Sequence, residues 1–428
     1  MGSLTILPRR AAACTAIALL IAACSTPGPP VFTNIVPGEP PPPDSVDAVL
    51  LLVGDAGEAH AAESPLLARL QQEIEVWSEL IGRDSAVTVL FLGDNVYPVG
   101  IRDRGHPEFA RDSAILWDQV ALLSGPNARA RGTIGFFLAG NHDWGNMAGE
   151  AGLRRLQNMQ EQIAMAREAG IPVELAPAAG DPGPIVRDIR ENTRLLMIDT
   201  HLFLQEPSFA SRLAFITGIE RAIRESGDRH VLIAAHHPYT SAGPHGAILT
   251  PVSRALGIVY LLQKSGTLVQ DLNSPIYSDL LARLRTAFAR TRPPLAFIGG
   301  HDHSLQVHVG RTAEDPQHIL VSGAGSKSSA LAGADSLRYG SSQPGFMSLI
   351  FRKQGAVDLF VIAGRDTETA KACPPSEQDG NCVTEESDAF GVVFSERIAF
   401  AKPPEDTTAR DTTVRRDTAA ARGPGGRR

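Results

Sequence analysis

Thiols and aromatic rings are scarce in this 428-residue chain, which has four cysteines, three tryptophans and five tyrosines. So few thiols exclude a thiolate-bound zinc as the organising feature, because such sites gather several cysteines at short spacing. Cations are also in the minority: 40 lysines and arginines against 47 aspartates and glutamates give a net charge of -7 with neutral histidine. That balance excludes a nucleic-acid groove spread over the whole surface, and no nucleic-acid partner is expected. The chain has no internal repeat, and its N-terminal apolar run, residues 11–22, is too short to span a bilayer. What remains, 43% hydrophobic and 20% charged residues, is an ordinary globular composition with biased ends.

Those ends carry address information. Arg9 and Arg10 form a positive flank before the apolar run, and Ile21-Ala22-Ala23-Cys24 closes it. The tetrapeptide resembles a bacterial lipobox, in which small residues admit the signal peptidase and the cysteine thiol is lipidated. Residues 1–23 are therefore read as a lipoprotein signal peptide and Cys24 as the lipidated first residue. The expected location is the bacterial cell envelope, outside the cytoplasm and attached to a membrane through the N-terminal lipid. An ordinary secretory signal with an incidental cysteine gives the same side of the membrane. Residues 24–45 are proline-rich and read as a stiff, extended tether. Residues 401–428 hold too few apolar side chains to fold and read as a disordered tail. Cys14 leaves with the signal, whereas Cys373 and Cys382 flank a polar loop for which the oxidising compartment predicts a disulfide.

Between residues 46 and 400, apolar runs of strand length alternate with segments of helical period. Strands are expected at 48–53, 87–92, 134–139, 195–198, 231–235 and 295–298, and helices at 65–81, 107–123, 150–169, 213–225 and 277–290. Shorter strands are expected at 318–322, 347–351, 357–362 and 389–394. The alternation predicts an α/β fold with antiparallel additions near its end. One catalytic domain over 46–400 is expected, interrupted by an irregular insertion at 244–275 of the kind that shapes binding sites.

Five of the runs stop at small residues followed by a metal-competent side chain. VGDAG supplies Asp55, LGDNVY supplies Asp94, and LAGNHD supplies Asn141, His142 and Asp143. IAAHHP supplies His236 and His237, and IGGHDH supplies His301, Asp302 and His303. A strand that stops at a glycine turn places the next side chain at the carboxyl edge of a sheet, where α/β proteins bind ligands. Taken singly, each is as readily a turn or a satisfied core histidine; together and in this order they predict one convergent site. Aspartate, asparagine and histidine suit hard or borderline divalent and trivalent cations rather than copper(I). The set is large enough for two metal ions, and one carboxylate, that of Asp94, could bridge them.

The ordered set GD, GDN, GNHD, a histidine block and GHDH over residues 54–304 resembles the calcineurin-like metallophosphoesterases. Within that family, GDNVYPVG at 93–100, AGNHDWGN at 139–146, GGHDHSLQ at 299–306 and SGAG at 322–325 are most similar to the small purple acid phosphatases. The resemblance implies a four-layer αββα sandwich with the metal site at the carboxyl ends of strands. It implies that Asp55 and His303 bind a first metal, that Asp94 bridges, and that Asn141, His236 and His301 complete a second. Many relatives carry a histidine two residues after the first aspartate, a position held here by Gly57. The purple enzymes use instead a tyrosine three residues after the bridging aspartate, the position of Tyr97. A phenolate is a hard donor that favours trivalent iron, so Fe(III) is expected at the Tyr97 site, with iron, zinc or manganese in the second.

The activity so implied is hydrolysis of phosphate monoesters, by attack of activated water on phosphorus, in a phosphate-ester small molecule or a phosphoprotein. His142 is the candidate general acid for the leaving group, and Asp143 either orients and charges it or caps the following turn. His245, in GPHG, resembles a purple-phosphatase histidine that faces the site and assists the leaving group. His237 is read as structural or substrate-facing, Asp302 as lying behind the ligands, and Asp199 as a buried carboxylate satisfied by backbone. Two other readings stand: a phosphodiesterase or nucleotidase of the same fold, and a non-catalytic surface lipoprotein that keeps the fold as a scaffold.

Overall fold

The computed structural model describes residues 37–58, 60, 63–206, 208–246, 271–364 and 389–400. The signal segment with Cys24, the pair Cys373 and Cys382, most of the 244–275 insertion and the 401–428 tail lie outside the described residues.

Strand β1 (Val46–Val53) shows why the chain forms layers. Its alternate residues Val49, Leu51 and Val53 pack beneath helices, while Ala48, Leu50 and Leu52 point into the gap between two sheets. A strand buried on both faces reads as an unbroken apolar run, as this one does. On one side β1 is extended in parallel by β2 (Val87–Phe91), β3 (Ile134–Phe137) and β4 (Val173–Leu175). On the other it pairs antiparallel with β12 (Gly345–Arg352), and β13 (Val357–Gly364) and β14 (Phe390–Ala399) follow.

The second seven-stranded sheet has a matching plan. Its parallel centre is β6 (Thr193–Met197), β7 (His230–Ala234), β8 (Ala296–Gly299) and β10 (His318–Ser322). Antiparallel β5 (Ile185–Ile189) closes one edge, and β9 (Leu305–Val309) and β11 (Leu337–Ser341) close the other. Helices Pro65–Ile81, Phe109–Ala121 and Gly149–Glu168 cover the outer face of the first sheet, and Phe209–Arg224 and Pro275–Arg290 cover that of the second. The order of layers is therefore α, β, β, α, the sandwich expected from the motifs.

Helix ends follow local chemistry. The Ser64 hydroxyl accepts the Leu67 N–H, Pro65 opens the first turn, and Gly82 closes the last at φ 63°. Ser274 and Pro275 repeat the start signal at the helix that ends the insertion. The helix expected from 213 begins earlier, at Phe209, because Ser208 caps it by accepting the Ser211 N–H. Strands β4, β5, β9 and β11 and the short helix Thr200–Gln205 were not foreseen. β9 reads LQVHV, too short an alternation to stand out, and its polar members Gln306 and His308 are buried and bond each other at 2.8 Å. Among the described residues, no helix is long and apolar enough to cross a membrane.

Candidate metal centre

The parallel strands deliver their following residues to one edge. Asp55 follows β1, Asp94 follows β2, Asn141 follows β3, His236 follows β7, and His301 and His303 follow β8. The turns are sharp: Asp55, Asp94 and His301 adopt φ of 59°, 54° and 68°, a left-handed region that ordinary residues enter at a cost and that clusters at functional sites. Glycines allow the loops to close on one another. A Cβ on Gly140 would stand 2.2 Å from Asp94 Oδ1, and one on Gly300 would stand 2.6 Å from Asp55 Oδ2.

Seven donors form two groups that share one residue. In the first, the Tyr97 phenol lies 3.0 Å from Asp55 Oδ1, 3.1 Å from Asp94 Oδ2 and 3.2 Å from His303 Nε2. In the second, His236 Nε2 lies 3.4 Å from Asp94 Oδ1, 3.0 Å from Asn141 Oδ1 and 3.2 Å from His301 Nδ1. His301 Nδ1 is also 3.1 Å from Asn141 Oδ1. The donor atoms of Asp94, His236 and His301 all lie within 4.8 Å of one another. Surrounding bonds aim them. His236 Nδ1–H donates to the Leu92 carbonyl, which leaves the Nε2 lone pair toward the group. Asn141 Nδ2 donates to Asn146 Oδ1, which turns its own Oδ1 inward.

This donor set fits cations. Asp55 and Asp94 are buried carboxylates, and burying anions side by side is costly unless positive charge is supplied. Burial, and then Asp94, pushes Asp55 well above the usual carboxylate range. Burial also raises Asp94, but the His236 and His142 imidazoles outweigh it and bring that carboxyl below the usual range. Burial followed by Asp55 and Asp94 drives the Tyr97 phenol well up, so a phenolate there requires a neighbouring cation. Burial also lowers His303 to about 3 and drives His301 well down, which keeps both imidazoles neutral, as ligands must be. Two positive ions, one among Asp55, Asp94, Tyr97 and His303 and one among Asp94, Asn141, His236 and His301, would answer every one of these charges.

His142 stands beside this array. Its Nδ1–H donates to the Pro98 carbonyl at 2.6 Å, its ring meets Tyr97 edge-on at 4.5 Å, and its Nε2 is 3.9 Å from Asp94 Oδ2. Asp143 makes no hydrogen bond to His142. Its carboxylate faces away and accepts the backbone N–H groups of Asn95, Val96 and Gly140 and the Asn95 amide. It pins the loop that carries Asp94 and Tyr97 to the loop that carries Asn141, so its role is positioning. His245 packs its ring 4.1 Å from that of His301 and holds Asp271 through Nδ1 at 2.6 Å. Burial would lower His245, but the Asp271 bond and the carboxylates of Asp302 and Asp271 raise it.

His237 lies behind the ligands, bonded to Thr200 Oγ1 at 2.8 Å. Asp302 is buried and accepts the His245 N–H. Asp199 caps the helix Thr200–Gln205 and accepts the Trp144 indole N–H, and burial raises it to about 6. The SGAG segment braces the first turn: Gly54 N–H donates to the Ser322 carbonyl and Gly325 N–H to that of Gly54. Two further residues of the site belong to none of the motifs. Asp271, at the far end of the insertion, is brought to His245 only by folding. Lys327 places Nζ 3.5 Å over the Tyr97 ring and pairs with Glu58 at 3.0 Å. Its position just after SGAG was the available signal.

No family model and no curated protein sequence matches the chain. Among solved structures, it is similar to one described as GAP50, the anchor in the inner membrane complex of Plasmodium. The TM-score is 0.50 at 13% identity, over 84% of this chain and 90% of that one. It is also similar to purple acid phosphatase PPD1 from yellow lupin seeds, with a TM-score of 0.43 and 14% identity over 75% of this chain and 52% of that one. A dimetal phosphatase from Danio rerio gives a TM-score of 0.37 and 14% identity over 74% and 95% of the respective chains. The chain has a four-layer αββα sandwich, and the residues of the motifs that resemble the calcineurin-like metallophosphoesterases gather at its carboxyl strand edge.

Proposed function

We propose that this protein is a binuclear-metal phosphoesterase that hydrolyses phosphate monoesters in the manner of an acid phosphatase. The observation that carries the reading is the sharing of Asp94 between two complete donor groups, its Oδ2 toward Tyr97 and its Oδ1 toward His236. We assign Fe(III) to the Tyr97 group and iron, zinc or manganese to the other. A metal pair bound there would neutralise phosphate oxygens and activate water for in-line attack on phosphorus.

The chain's own residues supply the rest. His142, fixed by its Nδ1–H bond to Pro98, carries the transferable proton at Nε2 and gives it to the departing oxygen. His245, held by Asp271, adds positive charge on the insertion side of the site. Lys327 adds it on the Tyr97 side. The likeness to a protein described as an anchor would suit a non-catalytic scaffold, but a scaffold has no use for His142 beside two filled donor groups. The test is metal content of the isolated protein together with turnover on p-nitrophenyl phosphate and bis(p-nitrophenyl) phosphate. Bound metal with preference for the monoester supports the reading; preference for the diester assigns a phosphodiesterase, and absence of both metal and turnover leaves the scaffold.

A further inference from the structure

One cavity lies away from the metal centre. It measures about 1220 Å³ and opens at the opposite edge of the sandwich, between the amino-terminal ends of β1, β2 and β3 and the β5–β6 turn. The strand β1 connects the two places, with Asp47 lining the cavity and Asp55 at the metal centre, about 25 Å apart at the rise of an extended chain.

Its lining is cationic beyond what its own carboxylates neutralise. Arg83, Arg187, Arg190, Arg229 and Lys353 face Asp47, Asp188 and Glu191 there. Arg83 is paired with Asp47 at 2.9 Å and Arg187 with Glu174 at 2.7 Å. Asp188 is gripped by both arms of Arg194, so Arg229 reaches it only at 3.7 Å. Arg190 bonds the Asp84 carbonyl through Nη2, and no carboxylate pairs with it or with Lys353 among the described residues. Arg190 and Lys353 thus stand against Glu191, while Arg229 shares Asp188 with Arg194.

Two of these donors are shielded from water and have no acceptor: Arg190 Nε and Arg229 Nη1. Buried N–H groups normally have one, and an exception calls for a cause. Arg190 is moreover held in the left-handed region, at φ 58°, by the tight turn between β5 and β6.

We propose that this cleft is a second anion site, separate from the metal centre, that binds a phosphate group through the guanidinium forks of Arg190 and Arg229 with Lys353 at the rim. Arginine forks match phosphate oxygens in pairs, and each of these two keeps one N–H outside any hydrogen bond, that of Arg229 standing 3.7 Å from Asp188. The phosphate has two sources of the same chemistry. One is a soluble phosphorylated molecule. The other is an anionic lipid headgroup, because the chain enters β1 from its N-terminal side at this same edge, with Lys353 N–H bonded to the Ser45 carbonyl. The headgroup source alone rests on the lipid anchor expected at Cys24.

The experiment is equilibrium dialysis of the metal-loaded protein against labelled inorganic phosphate, with Arg190→Gln/Arg229→Gln and Arg190→Lys/Arg229→Lys beside it. The glutamine pair should bind one phosphate fewer per chain, or bind it at least ~10-fold more weakly, with monoester turnover and thermal midpoint unchanged. The lysine pair should retain part of the binding and so exclude a folding defect. Asp94→Asn should remove phosphate from the metal centre and spare the cleft, which separates failure of this proposal from failure of the phosphoesterase reading. In a second arm, Cys24→Ala protein is sedimented with vesicles of phosphatidylglycerol in phosphatidylcholine and of phosphatidylcholine alone. Loss in the glutamine pair of free phosphate binding assigns the soluble source, and loss of phosphatidylglycerol-dependent sedimentation assigns the headgroup. If that pair matches the parent in both arms, the cleft is not an anion site.

Discussion

Tyr97 fills the place that Gly57 leaves. The Tyr97 N–H donates to the Gly57 carbonyl at 3.1 Å, and a Cβ on Gly57 would stand 2.6 Å from the backbone of Asp94, Asn95 and Val96. A histidine at 57 therefore has no room, and the Tyr97 phenol reaches Asp55, Asp94 and His303 from the neighbouring turn. The iron-loaded protein is expected to be coloured through an iron(III) phenolate, and Tyr97→Phe to be bleached with the fold retained. Visible absorption and circular dichroism of both proteins check this; equal spectra would remove Tyr97 from the first metal.

His142→Ala is expected to keep its metal content and to lose turnover chiefly on esters with basic leaving groups, by about 10²–10⁴-fold. Activated aryl esters, which need little proton assistance, should suffer far less. A uniform loss across leaving groups would assign His142 to positioning rather than proton transfer.

Lys327→Met removes the cation from the face of Tyr97 while preserving the length of the side chain. A rise in KM for dianionic monoesters, with a smaller change in kcat, is expected, because the lost attraction acts on bound substrate and transition state alike. The converse pattern, kcat falling at constant KM, would place Lys327 in transition-state stabilisation.

His308 sets part of the acid limit of stability. Neutral, it bonds Gln306 Oε1 through Nε2 and the Ser336 hydroxyl through Nδ1, and burial lowers its pKa from 6.5 to about 4. The unfolded chain binds this proton first as pH falls, so stability should be lost between pH 6.5 and about 4 and the loss should level off below. The full effect is on the order of 3 kcal/mol. Denaturant unfolding of parent and His308→Asn at both ends of this window should show a smaller pH-dependent loss in the variant. Identical losses would mean that His308 titrates alike in the folded and unfolded states.

Cys24→Ala is expected to abolish incorporation of a labelled fatty acid and to release the protein from membranes, since the lipobox-like run ends on that thiol. Unaltered protein that takes no label and is recovered wholly in the soluble fraction would remove the anchor.

What the sequence determined by itself is local and periodic. The apolar runs that became β1, β2, β3, β7 and β8, and the small residues after them, placed Asp55, Asp94, Asn141, His236, His301 and His303 at strand ends, because strand and turn chemistry depend on neighbours in the chain. The family resemblance then pointed to both donor groups and to Tyr97. Direction in space was beyond it. Asp143 sits next to His142 in the chain, yet its carboxylate turns to Asn95, Val96 and Gly140, since orphan N–H groups from another loop compete for it. His245 and Asp271 lie 26 positions apart and meet through the closure of a loop. Lys327 reaches Tyr97 only because the SGAG segment folds back on Gly54. The cleft of Arg190 and Arg229 arises from two sheets stacked face to face, and no single segment records that the amino-terminal ends of their strands share one cavity. Contacts between distant segments are chosen by the packing of whole layers, which is why tertiary structure alone decided them.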